Sequence, residues 1–389
     1  MLEGVNPRLI FAILFTAGVI AALWFDRNKI ERHSILFIRR TQRGIDLLDR
    51  IAKKAPRFWN AYGWMGVFFA ILSIPLMLIQ IVWIMNNVLT GGPSEEGAAA
   101  VLPSLSAEPT LQPGAFFIPI EYWVISIGII MVVHEASHGI IARLEGFEIN
   151  SVGWLVLGII PGAFVEPKGM QLGEGDEDGE GLGAAEIWDQ GTYKQRLKVL
   201  AAGSWANYVT AAFFGLIWVA LVFSVLPAYA DSSVTYQVAE DSPAAAAGMM
   251  GGTVHSINGE AISNQGEFLE IMSDTSPGDT VTLNTSEGEF EVELGSHPDR
   301  DTGLIGIDNI STSYGPGIDW LVGLIGIIVF LNFAIGIFNL MPAKPLDGGH
   351  IVDTFVEEFG KEEQRKYVNY FSVFLWVIVI GSLIAAVIL

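Results

Sequence analysis

The chain contains no cysteine, which excludes disulfide bonds and thiolate metal ligands. Charged residues are scarce at 16%, while hydrophobic residues make up 51% of the 389 positions. This balance is too apolar for an ordinary soluble domain and indicates a polytopic membrane protein. Basic residues are the scarcer charge, with 21 Lys and Arg against 42 Asp and Glu, and the formal net charge is −21. Such acidity argues against nucleic-acid binding and predicts surfaces that stay solvated at high salt, so we expect a halophile, in particular a haloarchaeal source.

Six apolar runs are long enough to cross a membrane, which takes about 20 residues in a helix. They lie at about 8–25, 63–89, 121–143, 199–227, 318–340 and 367–389. The stretch 149–165 is also apolar, but it carries three glycines, a proline and several β-branched residues. We therefore expect a re-entrant or strand-like element there, packed against protein that satisfies its backbone groups. A seventh span is the alternative.

The basic residues predict how these spans are oriented. Ten of the 21 lie in 27–57, five in 143–198 and four in 344–366, whereas 90–120 has none. Because basic loops stay in the cytoplasm, six spans place every basic loop inside and both termini outside a multi-pass cell-membrane protein. A seventh span at 149–165 would break this agreement.

The segment 231–310 is predicted to fold as a small α+β domain on the extracytoplasmic side. Its motif "SPAAAAGMMGGTVHSINGEAI" precedes a helix-like stretch, "NQGEFLEIM", and two alternating strand-like runs, "DTVTLNT" and "EFEVELG". The motif resembles the PDZ domains of bacterial envelope proteases, which bind extended peptides at a sheet edge. The resemblance implies an extracytoplasmic peptide as a partner, and a plain β-rich spacer is the alternative.

The stretch "MVVHEASHGII" at 131–141 places three ionisable groups inside the third apolar run. His134 and His138 are four residues apart, so in a helix both imidazoles lie on one face and can bind one Zn²⁺. Glu135 lies beside them and can hold the attacking water, as in the H-E-x-x-H signature of zinc proteases. Ionisable groups are costly in lipid and are usually functional there. Interhelical hydrogen bonding is the alternative explanation.

A catalytic zinc site needs a third protein ligand and an open position for water. Three other histidines lie in the basic loop or the extracytoplasmic domain, namely His33, His255 and His297. The remaining candidates lie in "FNLMPAKPLDGGH" at 338–350, where Asp347 follows a span that runs in the same direction as the histidine helix. His350 competes with Asp347 on chemistry alone, and an Asp-Gly-Gly turn without metal is a further alternative.

Three separated motifs together resemble the site-2 proteases, which are intramembrane zinc metalloproteases. The H-E-x-x-H element is followed by "AGSWAN", with Ala202, Gly203 and Asn207, and by N-x-x-P-x-x-x-L-D-G, with Asn339, Pro342, Leu346, Asp347 and Gly348. The resemblance covers about 121–366 and implies that Asp347, not His350, is the third zinc ligand.

The resemblance also implies a function, the cleavage of single-span membrane proteins within the lipid bilayer in regulated intramembrane proteolysis. In such a metalloendopeptidase Zn²⁺ is held by the two histidines and Asp347, and Glu135 acts as the general base. Asn207 and Asn339 can donate hydrogen bonds to the substrate or the oxyanion, although helix–helix hydrogen bonding explains them equally well.

The predicted fold is an α-helical polytopic membrane protein with about six transmembrane helices, one re-entrant or strand element and an inserted PDZ-like domain. Its parts are a two-span region at 1–110 with a basic cytoplasmic loop, a protease core at 111–230 and 311–389, and the extracytoplasmic domain at 231–310. A non-catalytic peptide receptor with a structural metal and an ion-coupled transporter are the alternative functions. The order of the three motifs and the lack of an internal repeat count against a transporter.

Overall fold

The computed structural model describes residues 6–33, 36–90, 98–157, 160–167, 188, 191–226, 233–297 and 301–388. The chain divides into two compact units. The first is built from Met1–Phe214 and Ile327–Leu389, and the second is Gly215–Gly326.

Six helices of the described chain are long and apolar enough to cross a membrane, which confirms the predicted number of spans. They are α1 (Pro7–Phe25), α3 (Pro56–Thr90), α4 (Ile120–Leu144), α5 (Tyr193–Ala220, continued by a π-helical turn, Leu221–Val225), α8 (Pro316–Phe338) and α10 (Arg365–Ile388). Shorter helices are α2 (Ile45–Lys54), α6 (Pro243–Ala246), α7 (Gln265–Ser273) and α9 (Asp347–Phe359), with 3₁₀ turns at Arg27–Lys29 and Glu362–Gln364. Both α3 and α5 begin before the apolar runs at 63 and 199, because a helix continues through polar residues that are good helix formers.

A four-stranded antiparallel sheet in the first unit contains the stretch 149–165. Its strands are β1 (Ile30–His33), β2 (Leu36–Thr41), β6 (Ile149–Leu157) and β7 (Ile160–Pro167), in the order β1-β2-β6-β7. The described parts of the stretch are therefore paired antiparallel strands and not a seventh helix, in agreement with its glycine, proline and β-branched content. The N-terminal region takes part in this sheet because β2 pairs with β6, with Arg39 opposite Trp154.

The short helix α2 packs the N-terminal region against α4. Its apolar side buries Leu48 and Ala52 against a cluster that includes Ile140 of α4. On its polar side, Asp49 lies 3.1 Å from Arg143 of α4 in an ion pair. The basic loop after α1 is therefore a folded support for the histidine helix, a role that the sequence did not predict.

A small three-stranded sheet precedes α4. It is formed by β3 (Ala100–Ser104), β4 (Thr110–Gln112) and β5 (Ala115–Pro119), in the order β3-β5-β4. The last strand leads directly into α4, whose start is held to α1 by a 3.0 Å ion pair between Glu121 and Arg8.

Close helix packing forms the core around the H-E-x-x-H motif. Val67 of α3, Ile141 of α4 and Leu200 and Ala201 of α5 are almost completely buried in one cluster. A methyl group at Gly66 of α3 would lie only 3.2 Å from the carbonyl oxygen of Ala201. The absence of a side chain at Gly66 thus allows α3 and α5 to approach closely.

The second unit contains a sheet with the order β12-β11-β9-β8-β15, with β10 paired to β9. The strands are β8 (Ser233–Val238), β9 (Gly252–Ile257), β10 (Glu260–Ala261), β11 (Thr280–Thr285), β12 (Gly288–Glu293) and β15 (Ile307–Ser313), and a separate pair is β13 (Gly295–Ser296) with β14 (Gly303–Leu304). Its core includes Val234, Val254, Leu283 and Phe268. The predicted helix at α7 and the predicted strands β11 and β12 are all present, so this segment is a folded α+β unit.

Candidate metal centre

The two histidines of the H-E-x-x-H motif converge because they are one helical turn apart on α4. The Nε2 atoms of His134 and His138 lie 3.0 Å apart, and the ring planes are inclined at 77°. His134 is buried at 9% exposure, so its ring faces protein and not the surface of the helix bundle.

Asp347 reaches the histidines through a tight turn between α8 and α9. The N–H of Gly348 donates to the carbonyl oxygen of Asn339 at 2.8 Å and closes this turn. A methyl group at Gly348 would lie 2.3 Å from the carbonyl oxygen of Leu340, so only glycine fits there. The Asp-Gly-Gly sequence therefore does form a turn, and that turn sets Asp347 at the first position of α9.

The spacing of the three side chains suits one metal ion. Asp347 Oδ2 lies 3.3 Å from His134 Nε2 and 3.5 Å from His138 Nε2. Ligands about 2.0–2.1 Å from a tetrahedral zinc are separated from one another by about 3.3 Å. Within the described part of the chain, these residues form a group of possible ligands whose atoms all lie within 4.8 Å of one another.

The opposite edges of both imidazoles are held by α5. His138 Nδ1 lies 2.7 Å from the carbonyl oxygen of Val199, so Nδ1 carries the proton and Nε2 presents a lone pair. His134 Nδ1 lies 3.1 Å from the side-chain amide of Asn207. As placed, the amide nitrogen Nδ2 faces this ring nitrogen, while the buried Oδ1 meets no donor among the described residues. Rotating the amide by 180° would let Oδ1 accept from His134 Nδ1–H and would leave the Nε2 lone pair for a metal ion.

The carboxylate adds a third electron-rich atom at the same point. Asp347 Oδ2 is buried and meets no hydrogen-bond donor among the described residues. Burial alone would raise the pKa of this carboxyl group, but the positive charge of a protonated His138 outweighs burial and holds the pKa below its ordinary value. The carboxyl is therefore ionised, as a metal ligand must be. A metal ion replaces the imidazole protons, and then three lone pairs converge on one point, so these residues fit a metal ion.

Gly203 of α5 leaves the space that this site needs. A methyl group at its Cα would lie 2.3 Å from His138 Nε2 and 2.6 Å from His134 Nε2. Any side chain here would contact the two nitrogens that face Asp347. The glycine of the "AGSWAN" element thus contributes to the metal centre because it leaves room for an ion between the ligands.

Glu135 is connected to the sheet through β7. Its Oε2 accepts a hydrogen bond from the backbone N–H of Val165 at 2.9 Å. Glu135 directly follows His134 on α4 and is half-buried. The carboxylate therefore lies between the histidine helix and the last strand of the sheet.

The separated motifs thus meet at one point, and comparison with known proteins gives the same assignment. The family model described as "Peptidase family M50", the site-2 protease family, matches residues 122–379. The chain belongs to peptidase family M50. Members of family M50 are membrane metalloproteases that depend on zinc. A relative, an uncharacterized protein of Methanocaldococcus jannaschii, is 24% identical over 378 residues that cover 94% of this chain and 89% of the relative.

The family M50 motif residues do not all lie at the metal group. Asn207 contacts His134, whereas Asn339 contributes its backbone carbonyl to the turn before Asp347. His350, one turn further along α9, lines a separate cavity with Lys344. Their predicted roles toward the substrate stay predictions.

Sequence reasoning missed three backbone features of the site. It did not find the carbonyl of Val199, the N–H of Val165 or the space at Gly203. Only the glycine had a visible signal, its place in the "AGSWAN" element.

Proposed function

We propose that the protein is a zinc metalloendopeptidase that cleaves transmembrane segments of single-span membrane proteins. The observation that carries this proposal is the convergence of His134, His138 and Asp347 beside Glu135. A zinc ion bound there would make water nucleophilic near neutral pH and would polarise the scissile carbonyl. The two histidines and Asp347 would hold the ion.

Glu135 is the proposed general base. Its carboxylate takes a proton from the attacking water and passes that proton to the nitrogen of the leaving amine. The hydrogen bond from Val165 N–H occupies one oxygen, Oε2, and leaves Oε1 for proton transfer. This bond also fixes the carboxylate against rotation, which is the preorganisation that proton transfer needs.

We further propose that β7 binds the unwound substrate along its outer edge. A transmembrane helix hides its peptide bonds in its own hydrogen bonds, so it must become extended before hydrolysis. Among the described strands, β7 is the last in its sheet, and Val165 directs its N–H away from β6. Antiparallel pairing alternates inward and outward residues, so Ala163 also presents its N–H and C=O outward. Pro161 and Pro167 at the neighbouring outward positions have no N–H, which limits the available edge to a short window beside Glu135.

Glu135→Gln is the direct test of the peptidase. The protein should bind zinc as the wild type does and should fail to cleave any single-span substrate that the wild type cleaves. Cleavage of candidate proteins in proteoliposomes and zinc content by elemental analysis are the measurements. A Glu135→Gln protein with normal cleavage would exclude the proposed base, and a wild-type protein that retains zinc but never cleaves would favour the receptor alternative.

Proline substitutions test the edge of β7. Ala163→Pro removes an outward N–H and should reduce cleavage at least tenfold while zinc content stays normal. Leu111→Pro in the edge strand β4 is a control with the same type of substitution in another sheet. Equal cleavage by Ala163→Pro and wild type would contradict substrate pairing at this edge. Gly162→Pro, at an inward position opposite Leu155, tests the hairpin as a whole and should also reduce cleavage.

The second unit is proposed to be a PDZ-like domain that selects substrates. Its sheet, the helix α7 and the sequence resemblance support this assignment. With the basic loops in the cytoplasm, this domain and both termini are extracytoplasmic, and the metal centre lies toward the cytoplasmic side. The domain binds peptides on the extracytoplasmic side. Deletion of 231–310 should broaden the range of substrates without abolishing hydrolysis, and loss of all cleavage by a folded, zinc-loaded deletion protein would contradict selection.

A further inference from the structure

A polar cavity lies near the metal centre, and the proposed reaction does not use it. It has a volume of about 250 Å³ and lies between α5, α9, the start of α10 and the turn before Asp347. Its lining residues are Trp188, Arg196, Leu200, Lys344, His350, Asp353, Thr354, Glu357 and Arg365. Since one water molecule takes about 30 Å³, the cavity can hold a group of phosphate size.

The lining residues carry charges of both signs. Lys344 Nζ and Arg365 each lie 2.8 Å from Asp353 Oδ2, so this one carboxylate serves two cations. Arg196 forms two hydrogen bonds with Glu357, of 2.9 and 3.2 Å. Three cations and two carboxylates are thus present among the described lining residues, and Arg365 also lies 3.5 Å from Glu357. The cationic donors among the lining residues therefore favour an anion as the ligand of this cavity.

Arg196 supplies a hydrogen-bond donor that the described protein does not use. The residue is only 5% exposed, and its Nε–H is buried with no acceptor among the described residues. A buried donor without a partner costs about 1–3 kcal/mol. The guanidinium group has a planar set of donors that matches the oxygens of an oxyanion.

His350 adds a neutral polar group to the cavity. Burial and the nearby charge of Lys344 lower the pKa of its imidazole, so the ring is uncharged at neutral pH. A neutral imidazole can donate to an oxyanion through one nitrogen. The lining therefore offers cationic and neutral donors together.

We propose that this cavity binds a phosphate group, with Arg196 and Lys344 as its principal donors. Basic pockets between membrane helices at the cytoplasmic face are places where anionic lipid headgroups bind, and free phosphate has the same chemistry. Lys344 lies in the turn that carries Asp347, and Asp353 lies on the same helix as Asp347. A bound phosphate therefore stabilises the segment that positions the third ligand of the metal centre.

Binding of inorganic phosphate to the purified full-length protein in a neutral detergent tests the proposal. Calorimetric titration at constant ionic strength should give saturable binding that Arg196→Gln weakens at least tenfold, because one charge-assisted donor is lost. Lys344→Gln should act in the same direction and covers the case in which the buried Arg196 variant does not fold. Asp353→Asn should tighten binding, because it removes a carboxylate that competes with the anion for Lys344 and Arg365.

A matched control is Arg143→Gln, which removes an ion pair with Asp49 outside this cavity and should leave phosphate binding unchanged. The source of the phosphate is decided by melting temperatures in vesicles. Stabilisation by phosphatidylglycerol over phosphatidylcholine without free phosphate identifies a lipid headgroup, and stabilisation by inorganic phosphate alone identifies a soluble anion. The proposal is wrong if neither ligand stabilises the wild type, or if Arg196→Gln and Lys344→Gln both bind phosphate as the wild type does.

Discussion

Gly203→Ala should remove zinc binding while the helix that carries it stays folded. The added methyl group would lie 2.3 Å from His138 Nε2 and 2.6 Å from His134 Nε2. Non-bonded heavy atoms are most stable about 3.5 Å or more apart, so at least one imidazole must move by about 1 Å. The change is small chemically, yet it acts on both metal-binding nitrogens.

The size of the effect follows from the tolerance of a metal site. Zinc–ligand distances are held within about 0.2 Å of their normal values, so a shift of about 1 Å is far too large. Removing the hydrogen-bond partners of metal ligands typically lowers affinity 10–100-fold. Since the methyl group displaces the ligands themselves, we expect zinc affinity to fall at least 100-fold, or about 2.7 kcal/mol.

Competition with a chromophoric chelator measures this affinity in detergent-solubilised protein. Gly128→Ala is the matched control, because the same substitution on α4 meets no atom within 4 Å. It should bind zinc normally. Circular dichroism should show the wild-type helix content for both variants, because alanine is favoured over glycine within a helix by about 1 kcal/mol.

One outcome would refute the reasoning. If Gly203→Ala binds one zinc ion with wild-type affinity, the two Nε2 atoms do not face the metal, and the proposed ligand set is wrong. A fall in zinc affinity for Gly128→Ala of the same size would show instead that any added methyl group disturbs the bundle.

Three further outcomes are expected. Asn207→Ala should lower zinc affinity 10–100-fold if the amide positions His134, whereas an oxyanion role would lower kcat and leave zinc affinity unchanged. Removal of zinc by a chelator should lower the free energy of unfolding by about 4 kcal/mol relative to protein at a free zinc concentration 1,000-fold above Kd. A melting temperature that is the same with and without zinc would contradict the proposed metal site. Burial would raise the pKa of Asp353, but its hydrogen bonds with Arg365 and Lys344 outweigh burial and lower that pKa below 3.8. The stability that these pairs supply is then complete above the unfolded-state pKa and is lost as pH falls through the lower folded-state pKa. The difference in melting temperature between wild type and Asp353→Asn should therefore be constant from about pH 7 to 5 and should shrink below about pH 4.

The helical spacing of His134 and His138 was predictable because it depends on local geometry alone. The six spans were predictable for a similar reason, since each needs only its own length and hydropathy. The hairpin at β6 and β7 follows from its glycine, proline and β-branched content. In each case the information lies within about 25 consecutive residues.

The choice between Asp347 and His350 needed more than local pattern. Both side chains have suitable chemistry and lie three residues apart. The turn closed by Gly348 places Asp347 against α4, while His350, on the same helix, lines the cavity with Arg196. The family resemblance indicated Asp347, but the physical reason is the direction in which α9 begins.

The sequence by itself determined the membrane setting, the number of spans and the type of chemistry at α4, because these depend on hydropathy and on residues one helical turn apart. Only the tertiary structure decided which backbone groups hold the imidazoles, why position 203 requires glycine, and that β2 extends the sheet beside Glu135. These features join residues far apart in sequence, such as His138 with Val199 and Arg39 with Trp154. Such pairs form only when the packing of α3, α4 and α5 brings their backbones together. A sequence pattern of neighbouring residues does not predict which distant residues come into contact.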